Sequence, residues 1–178
     1  MRINHFKRVF MMSILVSILS ACATNKLTPI AGVAQVELSK FMGDWYVIAA
    51  IPTLIETESY NAIENYQLDK DGTIATTFTF NKGSLNGPVK TYKPRGFVIK
   101  NTNNALWGMQ FIWPIKADYR IAYLNEDYTQ TVIARNARDY VWIMARTPTI
   151  SEADYANLTK FVSALGYDLS QLRKVPHN

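Results

Sequence analysis

Gly43-Asp44-Trp45-Tyr46 opens the first β-patterned stretch of this chain, and its reading decides the fold. A large apolar ring flanked by a turn glycine and an acidic residue suits the closed floor of a small β-barrel. Trp45 can plug such a floor if its indole N–H finds an acceptor and a cation covers its face. Arg146 ends the last β-patterned segment and is the candidate for that cation.

Outward from Trp45 the chain reads as short β segments separated by turns. Trp45 to Ile51 is closed by Pro52, and Asn61 to Leu68 is followed by the hairpin turn Asp69-Lys70-Asp71-Gly72. Thr73 to Asn81 alternates, with Ile74, Thr76, Phe78 and Phe80 on one face. Val89 to Lys93 and Arg95 to Lys100 flank Pro94, which predicts a bend or an edge. Ala105 to Trp113, Asp118 to Leu124, Thr129 to Arg135 and Tyr140 to Arg146 complete a set of eight strands. Their short connections favour an up-and-down antiparallel barrel, whose closure removes sheet edges and leaves room for one small ligand.

After Arg146 the period changes. Ser151 begins a capping turn, and Tyr155, Leu158, Val162 and Leu165 form a helical apolar stripe that Gly166 ends. This predicts one C-terminal helix packed outside the barrel, with a short strand near Leu172 to Val175.

Strand parity proposes the lining. With Trp45 inward, alternation sends Val47 and Ala49 inward above it and turns Tyr46 and Ile48 outward. Further candidates are Phe78 and Phe80; Trp107, Met109 and Phe111; Tyr119, Ile121 and Tyr123; and Tyr140 and Trp142. Which parity faces in stays open, because a one-residue slip exchanges the faces. As a group they predict an apolar interior with a few phenolic hydroxyls, suited to a lipid or another small molecule.

The N-terminus is a targeting segment. Arg2, Lys7 and Arg8 precede an apolar run from Val9 to Leu19, shorter than the ~20 residues a stable span needs. Leu19-Ser20-Ala21-Cys22 resembles a bacterial lipobox, which implies cleavage after residue 21 and acylation of Cys22. Two or three acyl chains then hold a protein to a bilayer essentially permanently. Ala23 following the cysteine resembles the pattern of outer-membrane sorting. The implied layout is a signal peptide over 1–21, a lipidated tether and lead-in over 22–38 with little to pack, and one barrel domain over 39–178.

Taken together, the chain resembles the bacterial outer-membrane lipocalins, relatives of apolipoprotein D. The likeness rests on the lipobox, Gly43-Asp44-Trp45-Tyr46, Asn125-Glu126-Asp127-Tyr128 and the stretch from Arg138 to Thr149. Asn125 and Glu126 depart from the threonine–aspartate pair common in the second of these motifs. The resemblance implies that Gly43, Trp45 and Arg146 build the floor and that the ligand is a fatty acid or lysophospholipid; a scavenger of toxic or oxidised hydrophobic molecules and a structural envelope lipoprotein without ligand stay open as alternatives. It also implies a periplasm-facing protein held in the outer-membrane bilayer, and it leaves a homodimer open.

Other functions find little support. The chain has two histidines, His5 in the leader and His177 near the end, so no Ser–His–Asp or Cys–His set can be assembled. No metal-ligand spacing, cofactor motif or phosphate loop is present, and Cys22 is the only cysteine. Glu56, Glu58, Asp69 and Asp71 read as solvated loop charges. Losing Arg2, Lys7 and Arg8 with the leader lowers the formal charge from +5 to +2, which leaves no basic stripe for nucleic acid. Arg95, Lys116, Arg120 or a tyrosine at the mouth are the candidates for headgroup contacts.

Overall fold

The computed structural model describes residues 27–178; the leader and Cys22 lie outside them. A four-residue helix α1 (Leu38–Phe41) leads into β1 (Gly43–Ile51), β2 (Ser59–Leu68) and β3 (Ile74–Lys82). Then come β4 (Val89–Tyr92), β5 (Arg95–Val98), β6 (Leu106–Ile112), β7 (Ile115–Leu124), β8 (Gln130–Ala134) and β9 (Val141–Ala145). Helix α2 (Glu152–Ala164), one 3-10 turn and the two-residue β10 (Arg173–Lys174) end the chain.

All pairings are antiparallel, and β9 returns to β1 to close the barrel. β4 and β5 both pair with β3, so they are one strand of eight, bent at Pro94. β4 pairs with β3 alone, which leaves the wall open beside it near the mouth. β10 runs along β1 through Ala49 and Ala50, past the point where β2 leaves it.

Two apolar clusters share the sheet. Inside the barrel, Phe41, Trp45, Val47, Tyr66, Phe78, Phe80, Trp107 and Ile121 are among the buried set. Outside, Leu158 and Val162 of α2 cover Ile48, Ala49, Ile51, Val132, Ile143 and Ala145. Ser151 caps α2 by accepting from the Asp154 amide at 3.0 Å.

Three expectations need correction. A β-bulge lies between Val47 and Ala49, where one extra residue on β1 faces β9. Parity reverses there, so Ala49 lies under α2 and Ala50 faces the interior. A second bulge between Ile121 and Tyr123 turns Tyr123 outward, 5.5 Å from the ring of Phe161. Residues 30–36, expected to pack little, lie on the barrel: Ile30 and Val36 are buried, and the Val33 and Val36 amides donate to Ile121 and Asn103.

Candidate functional site

The closed end is built first. Trp45 is fully buried and its indole donates to the Phe41 carbonyl at 2.8 Å. The Arg146 guanidinium lies 3.8 Å from the centre of that ring. It donates to the carbonyls of Lys40, Phe41, Met42, Asp44 and Tyr128, tying α1 across the barrel end. Gly43 has φ +91, a conformation open to glycine, and Arg146 passes beside it. Above Trp45, Phe41, Tyr66, Trp107 and Tyr119 pack ring to ring at 5.0–6.4 Å. The lower half of the barrel is therefore filled by its own side chains.

The upper half is not. A compartment of ≈ 130 Å³ lies above the aromatic layer, reached by Glu64, Tyr66, Met109, Tyr119, Trp142 and Met144. It meets a wider hollow of ≈ 410 Å³ at Thr53, Pro94 and Phe111. Leu54, Ile55, Tyr92, Lys93, Ile112 and Tyr140 line that hollow, beside the unpaired edge of β4. Leu54, Ile112, Trp113 and Ile115 are exposed, which gives the mouth an apolar rim.

Of the sequence candidates, Met109, Tyr119 and Trp142 line the inner compartment, and Tyr140 lines the outer hollow. Phe111 touches both. Val47, Phe78, Phe80, Trp107 and Ile121 are interior packing and touch neither space. Ala49 and Tyr123 are outside. The headgroup candidates also point elsewhere: Arg95 pairs with Asp69 and Asp71, Arg120 with Asp118, and Lys116 covers Phe97.

The missed residues are polar. Glu56 is no solvated charge: it is 4% exposed and accepts from the Trp142 indole at 3.0 Å. Burial pushes its carboxyl up, and that hydrogen bond partly offsets the rise. Glu64 stands opposite both Trp45 and Phe78 in the sheet, so it faces inward. Burial pushes it well above the usual carboxylate range, and the charge of Glu56 adds to the effect. Tyr66 and Tyr119 share a hydroxyl–hydroxyl bond of 2.6 Å, and burial holds both phenols neutral. A signal existed in Asn61 to Leu68: the face of Asn61, Ile63, Asn65 and Gln67 carries three amides, so the opposite face, with Glu64 and Tyr66, was the less polar choice.

The lipocalin-like domain family matches residues 36–177. The chain belongs to the lipocalin family. It is 28% identical over 158 residues to temperature-induced lipocalin-1 of Arabidopsis thaliana, covering 82% of each protein. It is 26% identical to outer membrane lipoprotein Blc of Escherichia coli K12, over 84% of this chain and 85% of that one. Insecticyanin from the tobacco hornworm Manduca sexta shares the fold, with TM-score 0.67 at 16% identity over 85% of this chain and 86% of that one. The lipocalin fold and its apolar cavity support binding of a small hydrophobic ligand. Among the described residues no helix is long and apolar enough to cross a membrane.

Proposed function

We propose that this lipocalin is acylated at Cys22, faces the periplasm from the outer membrane, and stores or carries a lipid in its cavity. The observation that carries the reading is the pair of connected compartments above a sealed floor. Together they fall in the range of about 300–1,000 Å³ typical of small-molecule sites. A fatty acid or lysophospholipid enters tail first and keeps its headgroup at the mouth near Lys93 and Tyr140. Each CH₂ removed from water there contributes about 0.8 kcal/mol. The reading is one of carriage without catalysis. The names of the bacterial relatives support the anchor, as does the lipobox-like sequence before Cys22.

Two measurements test it. Protein beginning at Ala23, which keeps every described element of the barrel, is exposed to an envelope lipid extract and examined by native mass spectrometry. Co-purified lipid supports carriage, and the spectrum also reports whether a homodimer forms. No bound lipid, with no tryptophan quenching by titrated lysophospholipid or fatty acid, overturns it. For the anchor, Cys22→Ala should abolish palmitate labelling and release the protein from the outer-membrane fraction.

A further inference from the structure

The inner compartment is apolar in most of its lining, yet its charged groups are not equal. Glu56 is held by the Trp142 indole. Asp118 is taken by Arg120 at 2.9 Å and by the Asn136 amide at 2.8 Å. Arg135 pairs with Asp139 through Nη1 at 3.4 Å and lies over Tyr140, while its Nε is buried without a partner. Glu64 alone among these carboxylates is left without a partner: its Oε2 is sealed from solvent and accepts no hydrogen bond. Around it stand Trp45 on β1, Phe78 on β3 and Tyr66 on its own strand. Tyr119 on β7 completes the polar set, bonded to Tyr66.

Buried carboxyls are normally hydrogen-bonded, and an unmet acceptor in a cavity is a vacancy for a donor. An acyl tail pushed to this depth would leave the acceptor unmet. A carboxylate inserted head first would meet Glu64, with Glu56 also lining the compartment. From this geometry we propose that Glu64, with the Tyr66–Tyr119 hydroxyl pair, forms a subsite for the hydrogen-bond-donating end of an otherwise apolar ligand. The chemical class is an aliphatic amine or alcohol, its apolar remainder lying toward Phe111 and the outer hollow. The amine is favoured over the alcohol because its ammonium forms a charge-assisted bond to the carboxylate. Burial raises the Glu64 carboxyl above its ordinary value, and a cationic partner would oppose that rise. The subsite rests on the carriage reading and adds to it a second ligand class, bound polar end first in the same cavity.

The test uses protein beginning at Ala23 and three ligands of equal chain length: decylamine, 1-decanol and decanoate. Affinities are measured at pH 7 by calorimetry and tryptophan quenching. The expected order is amine, then alcohol, then carboxylate, with about tenfold or more between first and last. Glu64→Gln lowers decylamine affinity about tenfold and leaves 1-decanol within about threefold. Tyr119→Phe, which disturbs the phenol pair instead, weakens 1-decanol. Equal binding of all three ligands, a preference for decanoate, or an amine preference that survives Glu64→Gln overturns the subsite and leaves carriage standing. Failure of the wild-type protein to bind any lipid or any of the three overturns both. Should Glu64→Gln not fold, the wild-type ligand order and Tyr119→Phe still decide.

Discussion

The two ends of this barrel solve opposite problems with similar residues. At the floor, a half-buried cation and a buried indole find all the partners they need: Arg146 reaches five carbonyls and Trp45 reaches one. At mid-height, a buried carboxyl finds none. At the mouth, leucine, isoleucine and tryptophan stand in solvent while the barrel wall opens beside β4. A closed end can be satisfied internally and becomes rigid. An end that must admit a ligand keeps unmet hydrogen bonds and uncovered apolar surface for that ligand to satisfy.

The largest test of the contrast is at the floor. Arg146→Ala should cost about 3–5 kcal/mol, since it uncovers Trp45 and strips partners from five carbonyls. Trp45→Ala should cost a similar ~3–5 kcal/mol through the void it leaves. Both are read from urea unfolding of the soluble barrel. Losses below about 1 kcal/mol in both would mean that the floor does not hold the fold together.

The boundary between the packed and open halves comes next. Tyr66→Phe or Tyr119→Phe should each cost about 1–3 kcal/mol, because each leaves the other hydroxyl buried without its partner. The double variant should lose less than the two single losses together. Full additivity would show that the hydroxyls do not act as a pair.

Glu64 supplies a smaller, pH-dependent effect. It binds its proton more tightly folded than unfolded. Its contribution to stability is therefore complete below the ordinary carboxylate pKa. It is lost as pH rises from there through the raised folded value, at up to about 1.4 kcal/mol per pH unit. Glu56 shifts in the same direction. Urea midpoints between pH 5 and 9 should thus fall more steeply for wild type than for Glu64→Gln, and parallel curves would contradict this. Smallest of all, Leu54→Ser and Trp113→Ser should change stability by less than about 0.5 kcal/mol, since both side chains are exposed. A larger loss by the same measurement would mean that the rim is part of the fold.

Much of the barrel was legible from local pattern. The turn at Asp69–Gly72, the alternation through Phe78 and Phe80 and the apolar stripe of α2 each state a period that one element satisfies. The lining was less legible for a physical reason. Bulges at Ile48 and Ala122 each insert one residue, and everything beyond them changes face. That is why Ala49 and Tyr123 read as interior and lie outside. Glu56 reads as a solvated loop charge and Glu64 does not stand out, because a carboxylate is ordinarily a surface group and its burial depends on strands far away in sequence.

Taken alone, the order of residues determined eight β segments in hairpin order followed by one amphipathic helix. Those outcomes follow from periodicity and turn chemistry, which act over a few residues. Only the tertiary structure decided how far the aromatic layer fills the barrel and where the remaining space opens. It also decided that an unpartnered carboxyl stands beside that space, because register, bulges and barrel closure are set by contacts between residues distant along the chain.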